Sequence, residues 1–134
     1  MDRLTGDERA ALNAVSEKVI GAAIEVHKYM GPGKLEAIYE ECLCIEFEIR
    51  GIPYRRQVDV PLNYKGRPLR QCYRIDVLAG DGVIVELKAV EALHPVNDAK
   101  LLSALRLSGH RLGLLINFNT VYLVDGVRRL IDRY

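Results

Sequence analysis

Cysteine is scarce in this chain of 134 residues: there are three, Cys42, Cys44 and Cys72. An odd number closes no disulfide framework, and none is spaced with a second cysteine or a histidine as a zinc site requires. They read as reduced packing residues. Also missing is any apolar run approaching the ~20 residues of a membrane helix, and the opening Met1-Asp2-Arg3-Leu4-Thr5-Gly6-Asp7-Glu8 lacks the apolar core of a signal peptide. The expected compartment is the cytosol, with no membrane partner. An excess of charge of one sign is lacking too. Nineteen Lys and Arg against eighteen Asp and Glu leave a net +1, so any attraction to nucleic acid must come from a local patch. The length suits one domain, residues 1–134, and no repeat, low-complexity tract or linker divides it.

What is present is a pattern of alternating periods. Thr5-Gly6-Asp7-Glu8 fits a capping box, and Leu12, Val15, Val19, Ala22 and Val26 follow at helical spacing, which predicts a helix to about Tyr29. After the break at Gly31-Pro32-Gly33, Leu35, Ile38, Cys42, Ile45 and Ile49 repeat that spacing up to Gly51, predicting a second helix buried along that stripe. Val58, Val60 and Leu62 alternate with polar residues as in a strand, and Tyr64-Lys65-Gly66-Arg67-Pro68 reads as a turn. Two further strand-like runs, Arg74–Ala79 and Val83–Val90, flank Gly80-Asp81-Gly82. A helix from about Pro95 to Leu107 then leads to the apolar run Leu112–Ile116, a right-handed crossover between parallel strands. Val121–Val124 and Val127–Ile131 around Asp125-Gly126 read as a terminal hairpin. The expected fold is α/β, a mixed β-sheet flanked by helices in the order ααβββαβ with a short β tail.

Charge is written into the most apolar part of this plan. In Val83-Ile84-Val85-Glu86-Leu87-Lys88-Ala89-Val90, Glu86 and Lys88 interrupt a strand that is otherwise apolar on both faces, and they share a face. With residues 80–82 as the loop, Asp76 falls opposite Glu86 and Arg74 opposite Lys88, about 4.5–5.5 Å apart. Facing carboxylates repel unless a cation or a shared proton neutralises them. A divalent metal with oxygen ligands would do so, and so would an ion-pair network with Arg74 and Lys88 that carries no chemistry. A second charged feature lies upstream: six basic residues between Arg55 and Arg74 face one acid, Asp59. Strand alternation puts Arg70 and Arg74 on the face of Asp76, as a phosphate-binding stripe or as a charged edge that blocks aggregation.

Acid on one strand, acid-x-lysine on the next and then a crossover helix resembles the PD-(D/E)XK nuclease superfamily, with Asp76 and Glu86-Leu87-Lys88 as the two halves. Gly33-Lys34-Leu35-Glu36-Ala37-Ile38-Tyr39 is similar to the signature of the GxxExxY protein family within it, and blocks from about Val19 to Asn119 agree. The resemblance implies a Mg²⁺- or Mn²⁺-dependent nuclease acting on DNA, or a non-catalytic module of the same fold that binds nucleic acid or a partner protein. Asp76 and Glu86 would hold the metal, with the Leu87 carbonyl and Glu36 as further ligands, and Lys88 would orient the attacking water and stabilise charge on the phosphate. His27, from the first helix, is a weaker metal candidate, because a helix C-terminus alone accounts for it. Tyr39 would hold Glu36 by packing or stack on a base, and core packing is the stronger reading of the two. On the crossover helix many such nucleases carry glutamine and tyrosine four apart; Lys100 and Ala104 stand here instead, and only Lys100 could reach a phosphate. Cutting both strands at once would take a homodimer.

Overall fold

The computed structural model describes residues 4–132. Helix α1 (Gly6–Met30) starts at the expected capping box: the Thr5 hydroxyl accepts from the Glu8 N–H, and the Glu8 carboxylate accepts from the Thr5 N–H. Helix α2 (Glu36–Arg50) follows the glycine break and stops at Gly51 in the left-handed conformation. Strands β1 (Tyr54–Tyr64), β2 (Arg67–Ala79) and β3 (Val83–Lys88), helix α3 (Pro95–Ser108) and strands β4 (Leu112–Asn117) and β5 (Val127–Ile131) complete the order. Among the described residues no helix is long and apolar enough to cross a membrane.

The sheet runs β1-β2-β3-β4-β5, with only β3 and β4 parallel. Their crossover is α3, as the strand–helix–strand pattern requires. Strand β4 is buried along its whole length, which is why Leu112–Ile116 shows no alternation. One face of the sheet carries α1 and α2: Val77, Ala79, Val83, Val85, Leu87, Leu114 and Ile116 meet Val19, Ala22, Ala23, Leu43 and Phe47 there. The other carries α3, where Ile75, Leu78, Ile84 and Leu115 meet Leu101, Ala104 and Leu105.

Two expectations fail. The stripe predicted to bury α2 faces outward, with Leu35 and Ile49 each 72% exposed and Ile45 49%. Tyr39, Leu43, Cys44 and Phe47 are buried instead. Aromatic area decides this choice: Tyr39 stacks on Phe118 at 4.5 Å between centroids and Phe47 packs on Tyr54, so turning the helix would expose two rings to bury smaller aliphatics. The terminal hairpin is also absent. Leu123–Gly126 form a single 3-10 turn, and β5 pairs antiparallel with β4 rather than with residues 121–124.

Candidate active site

The register of the β2–β3 hairpin is the expected one, with Val77 opposite Val85, Leu78 opposite Ile84 and Ala79 opposite Val83. The ladder then stops. Asp76 and Glu86 are next in line, but β2 leaves β3 at that point, so Arg74 does not sit opposite Lys88 as expected. Side-chain alternation breaks at the same place: Val77 and Ala79 face α1 and α2, whereas Ile75 joins Leu78 on the α3 face. Strand β1 breaks in step. Tyr54 packs on the α1/α2 side while Val58 and Val60 pack on the α3 side, and Gln57, at φ 52°, lies where the partner of Asp76 is missing from the ladder.

The Asp76 side chain fills the gap in place of backbone. Its Oδ2 accepts from the Leu87 N–H at 3.1 Å, a bond that a continuing β2 would have made. Because the N–H and C=O of one strand residue point to the same side, the Leu87 carbonyl faces this gap too. The Glu86 carboxyl comes against Asp76, accepting from its backbone N–H and bonding its side chain, and Tyr73 Oη lies 3.5 Å from Glu86 Oε1. Burial first, and then the charge of Asp76, push the Glu86 carboxyl up to about 8. Burial also raises Asp76, against the pull of the Leu87 N–H. Tyr73 is raised by burial and by Glu86, and so remains a hydroxyl donor. Burial holds both carboxyls above their ordinary range, with Lys88 pulling only partly against it, and a divalent cation with oxygen ligands fits such a set.

Lys88 and Glu36 stand at the rim. Burial raises the Glu36 carboxyl, Lys88 lowers it, and Asp76 and Glu40 raise it, so all of these groups lie within electrostatic reach of one another. They do not close into a cage: among the described residues no three His, Cys, Asp or Glu side chains are arranged to hold a metal ion. The chain beyond Lys88 is fixed by Asn117, its ladder partner, whose side chain accepts from the Val90 N–H and donates to the Val90 carbonyl at 3.1 and 2.9 Å. Lys88 also lines a cavity of about 300 Å³ with Val90, Glu91, Ala92, His94 and Asn97.

Residues 13–130 match the PD-(D/E)XK nuclease superfamily. The chain belongs to that superfamily. No curated protein and no solved structure matches it. Membership supports a nuclease-like function, and Asp76 and Glu86-Leu87-Lys88 stand on the two sides of one strand break.

Other residues singled out in the sequence lie elsewhere in this PD-(D/E)XK protein. Tyr39 is fully buried; its hydroxyl donates to the Gly31 carbonyl at 2.6 Å and accepts from the Lys34 N–H, so it cannot stack on a base. It is a core residue that ties down the loop leading to Glu36. His27 is not with the acids either. Its Nε2 is 2.8 Å from the Thr120 carbonyl, and it lines a cavity with Pro32 and Tyr122. Arg74 is paired with Asp59, its cross-strand partner, whose Oδ1 accepts from Nε at 2.8 Å. Arg70 is exposed on the same strand. On α3, Lys100 is exposed and Ala104 fully buried against the sheet, so the side chains that reach the space beside Lys88 are His94 and Asn97.

Sequence reasoning missed Glu40 and Asn117. Glu40, one helical turn after Glu36, accepts from Arg56 Nε and Nη2 at 3.0 and 2.7 Å and from Gln57 Nε2 at 2.9 Å, which pins the residue opposite Asp76. The acid pair Glu36 and Glu40 at helical spacing was the available signal. For Asn117 it was a lone amide ending the apolar run 112–116.

Proposed function

We propose that this protein is a Mg²⁺- or Mn²⁺-dependent phosphodiesterase that hydrolyses DNA in the cytoplasm. The observation carrying the proposal is the pair Asp76 and Glu86 at the strand break, both with raised pKa values, with Lys88 two residues along β3. Asp76, Glu86 and the Leu87 carbonyl are the atoms that would hold the cation, with Glu36 at the flank. A bound divalent ion of this kind lowers the pKa of its water and takes up negative charge on a phosphate. Lys88, an ammonium with three donors, orients the attacking water and neutralises a non-bridging phosphate oxygen. Tyr73 holds Glu86 through its hydroxyl. Arg70, Arg74 and Lys100 are point charges for flanking phosphates, and a homodimer supplies the second site that a double-strand cut needs.

Cleavage of plasmid DNA in Mn²⁺ tests the reading. Lys88→Ala and Glu86→Ala should each lower the rate by about 10²–10³ or more while leaving the fold intact. Absence of any cleavage by the unaltered protein in Mg²⁺ or Mn²⁺ would sink it. The buried Ala104, which brings no ring or hydroxyl to the site, favours a second reading: a module that binds nucleic acid or a partner protein without cutting. Stable DNA binding with no metal-dependent turnover would select that one.

A further inference from the structure

Past the strand break, β1 and β2 continue as a two-stranded ribbon that no other strand joins. Its base is packed, since Val60 and Tyr73 still meet the α3-side core. Beyond them, residues 61–72 are all exposed except the half-buried Leu62. Four residues of β1 (61–64) and six of β2 (67–72) give an arm of about 13–20 Å at about 3.3 Å per residue. Its tip is a two-residue turn with Lys65 at φ 49° and Gly66 at φ 79°, the left-handed pair that matches the twist of a hairpin. A register shift between Pro61 and Asn63 adds twist near its base. A two-stranded hairpin without a core is at best marginally stable, so this arm contributes little to folding.

Its charge is one-sided. From Val60 to Tyr73 there are three cations, Lys65, Arg67 and Arg70, and no Asp or Glu, while the rest of the chain carries sixteen Lys and Arg against all eighteen Asp and Glu. Lys and Pro also blunt free strand edges, but two of the three cations here are Arg, the residue suited to phosphate. Nor are the cations engaged: among the described residues Arg67 and Arg70 have no carboxylate partner, and Lys65 lies only over the Tyr64 ring. Arg70 is six residues, about 20 Å of strand, from Asp76.

We infer that the β1–β2 arm is a duplex-DNA clamp, seated in the major groove, with Lys65, Arg67 and Arg70 on backbone phosphates. The inference rests on the nuclease reading only in naming DNA as the ligand. A two-stranded ribbon fits the B-form major groove, about 12 Å wide, and does not fit the deep, narrow major groove of duplex RNA. The cation nearest the acids would touch a phosphate about six base pairs from the bond at Asp76, at about 3.4 Å per base pair.

Fluorescence anisotropy on a labelled DNA duplex of about 20 base pairs, in EDTA so that nothing is cut, tests the clamp. Each phosphate contact contributes about 0.9 to the slope of log K against log salt, so the Lys65→Gln/Arg67→Gln/Arg70→Gln variant should lose about 2.7 of slope and bind about two to three orders of magnitude more weakly near 0.1 M salt. Circular dichroism of the variant should be unchanged, because all three side chains are exposed. An unchanged slope, no duplex binding by the unaltered protein, or equal affinity for duplex RNA or single-stranded DNA overturns the clamp. Binding through the arm without cleavage in Mn²⁺ would retain the clamp and refute the nuclease. Cleavage with full duplex affinity in the triple variant would do the reverse.

Discussion

Glu86→Gln should make the protein more stable, and increasingly so as the pH rises. A carboxyl whose folded pKa exceeds its unfolded one opposes folding wherever the unfolded chain releases the proton and the folded chain keeps it. Below about pH 4.5 both states are protonated and nothing is lost; stability then falls up to about pH 8 and levels off above it. At 1.36 kcal/mol per pK unit, the loss between pH 6 and pH 8 is about 2 kcal/mol. For a chain of this length, with an unfolding entropy of about 2.1 cal/mol/K per residue, that corresponds to about 7 °C in Tm. His110, whose pKa is lowered by burial and by Arg55, acts in the opposite sense near its own pKa, but it cancels in the difference between protein and variant. The assay is thermal unfolding in EDTA at several pH values. The Tm gap between Glu86→Gln and the unaltered protein should widen by about 7 °C from pH 6 to pH 8, and Mn²⁺ at pH 8 should raise the Tm of the unaltered protein more than that of the variant. Parallel curves, or equal shifts with Mn²⁺, would refute the claim that Glu86 is protonated for want of a cation.

Asn117→Ala removes both bonds to Val90, leaving its part-buried N–H without this partner while the carbonyl keeps Asn119; a loss of about 1–2 kcal/mol in urea unfolding is expected, with weaker metal-dependent cleavage because the chain after Lys88 is loosened. Tyr39→Phe keeps the stack on Phe118 but loses the bonds to Gly31 and Lys34, so it should cost about 1–2 kcal/mol, and proteolysis near residues 31–34 should accelerate. Ile45→Glu lies on the outward stripe of α2 and should change stability by no more than about 0.5 kcal/mol; a loss above 2 kcal/mol would return that stripe to the core.

The elements that were legible in the sequence are those whose punctuation is local. The capping box at Thr5, Gly51 and the three-residue loop at 80–82 fix ends and registers through a few neighbouring residues, and the structure keeps each of them. The α2 face was not legible because two apolar stripes compete there, and the choice is made by Phe118 and Tyr54, remote in sequence. The acids at 76 and 86 could be read from register, since the hairpin fixes which residues are opposed. Their surroundings could not. Alternation implies a continuous ladder, and a break in it depends on Glu40 reaching Gln57 from another element. For the same reason Arg74 does not meet Lys88, because a register cannot be carried across a break.

That break explains why two carboxylates can stand so close in a sheet at all. In an unbroken ladder a β2 backbone group would take the Leu87 N–H, its carbonyl would be used as well, and Asp76 would merely face Glu86. Letting β2 leave at residue 76 gives the N–H to a carboxylate and turns the carbonyl toward the same space. The cost is a non-glycine residue in the left-handed region at Gln57, about 1–2 kcal/mol, which the bonds from Arg56 and Gln57 to Glu40 offset. Glu40→Ala should therefore act at a distance. Without the clamp, Gln57 relaxes to an extended conformation, β1 and β2 regain pairing at 57 and 76, and the Asp76 carboxylate is drawn away from Leu87. Hydrogen exchange reads this directly: the Leu87 amide should lose protection in Glu40→Ala while the Val85 amide, one ladder step inside the sheet, keeps it. Equal protection of Leu87 in the two proteins would mean that the break is intrinsic to β2 and that Glu40 only decorates it.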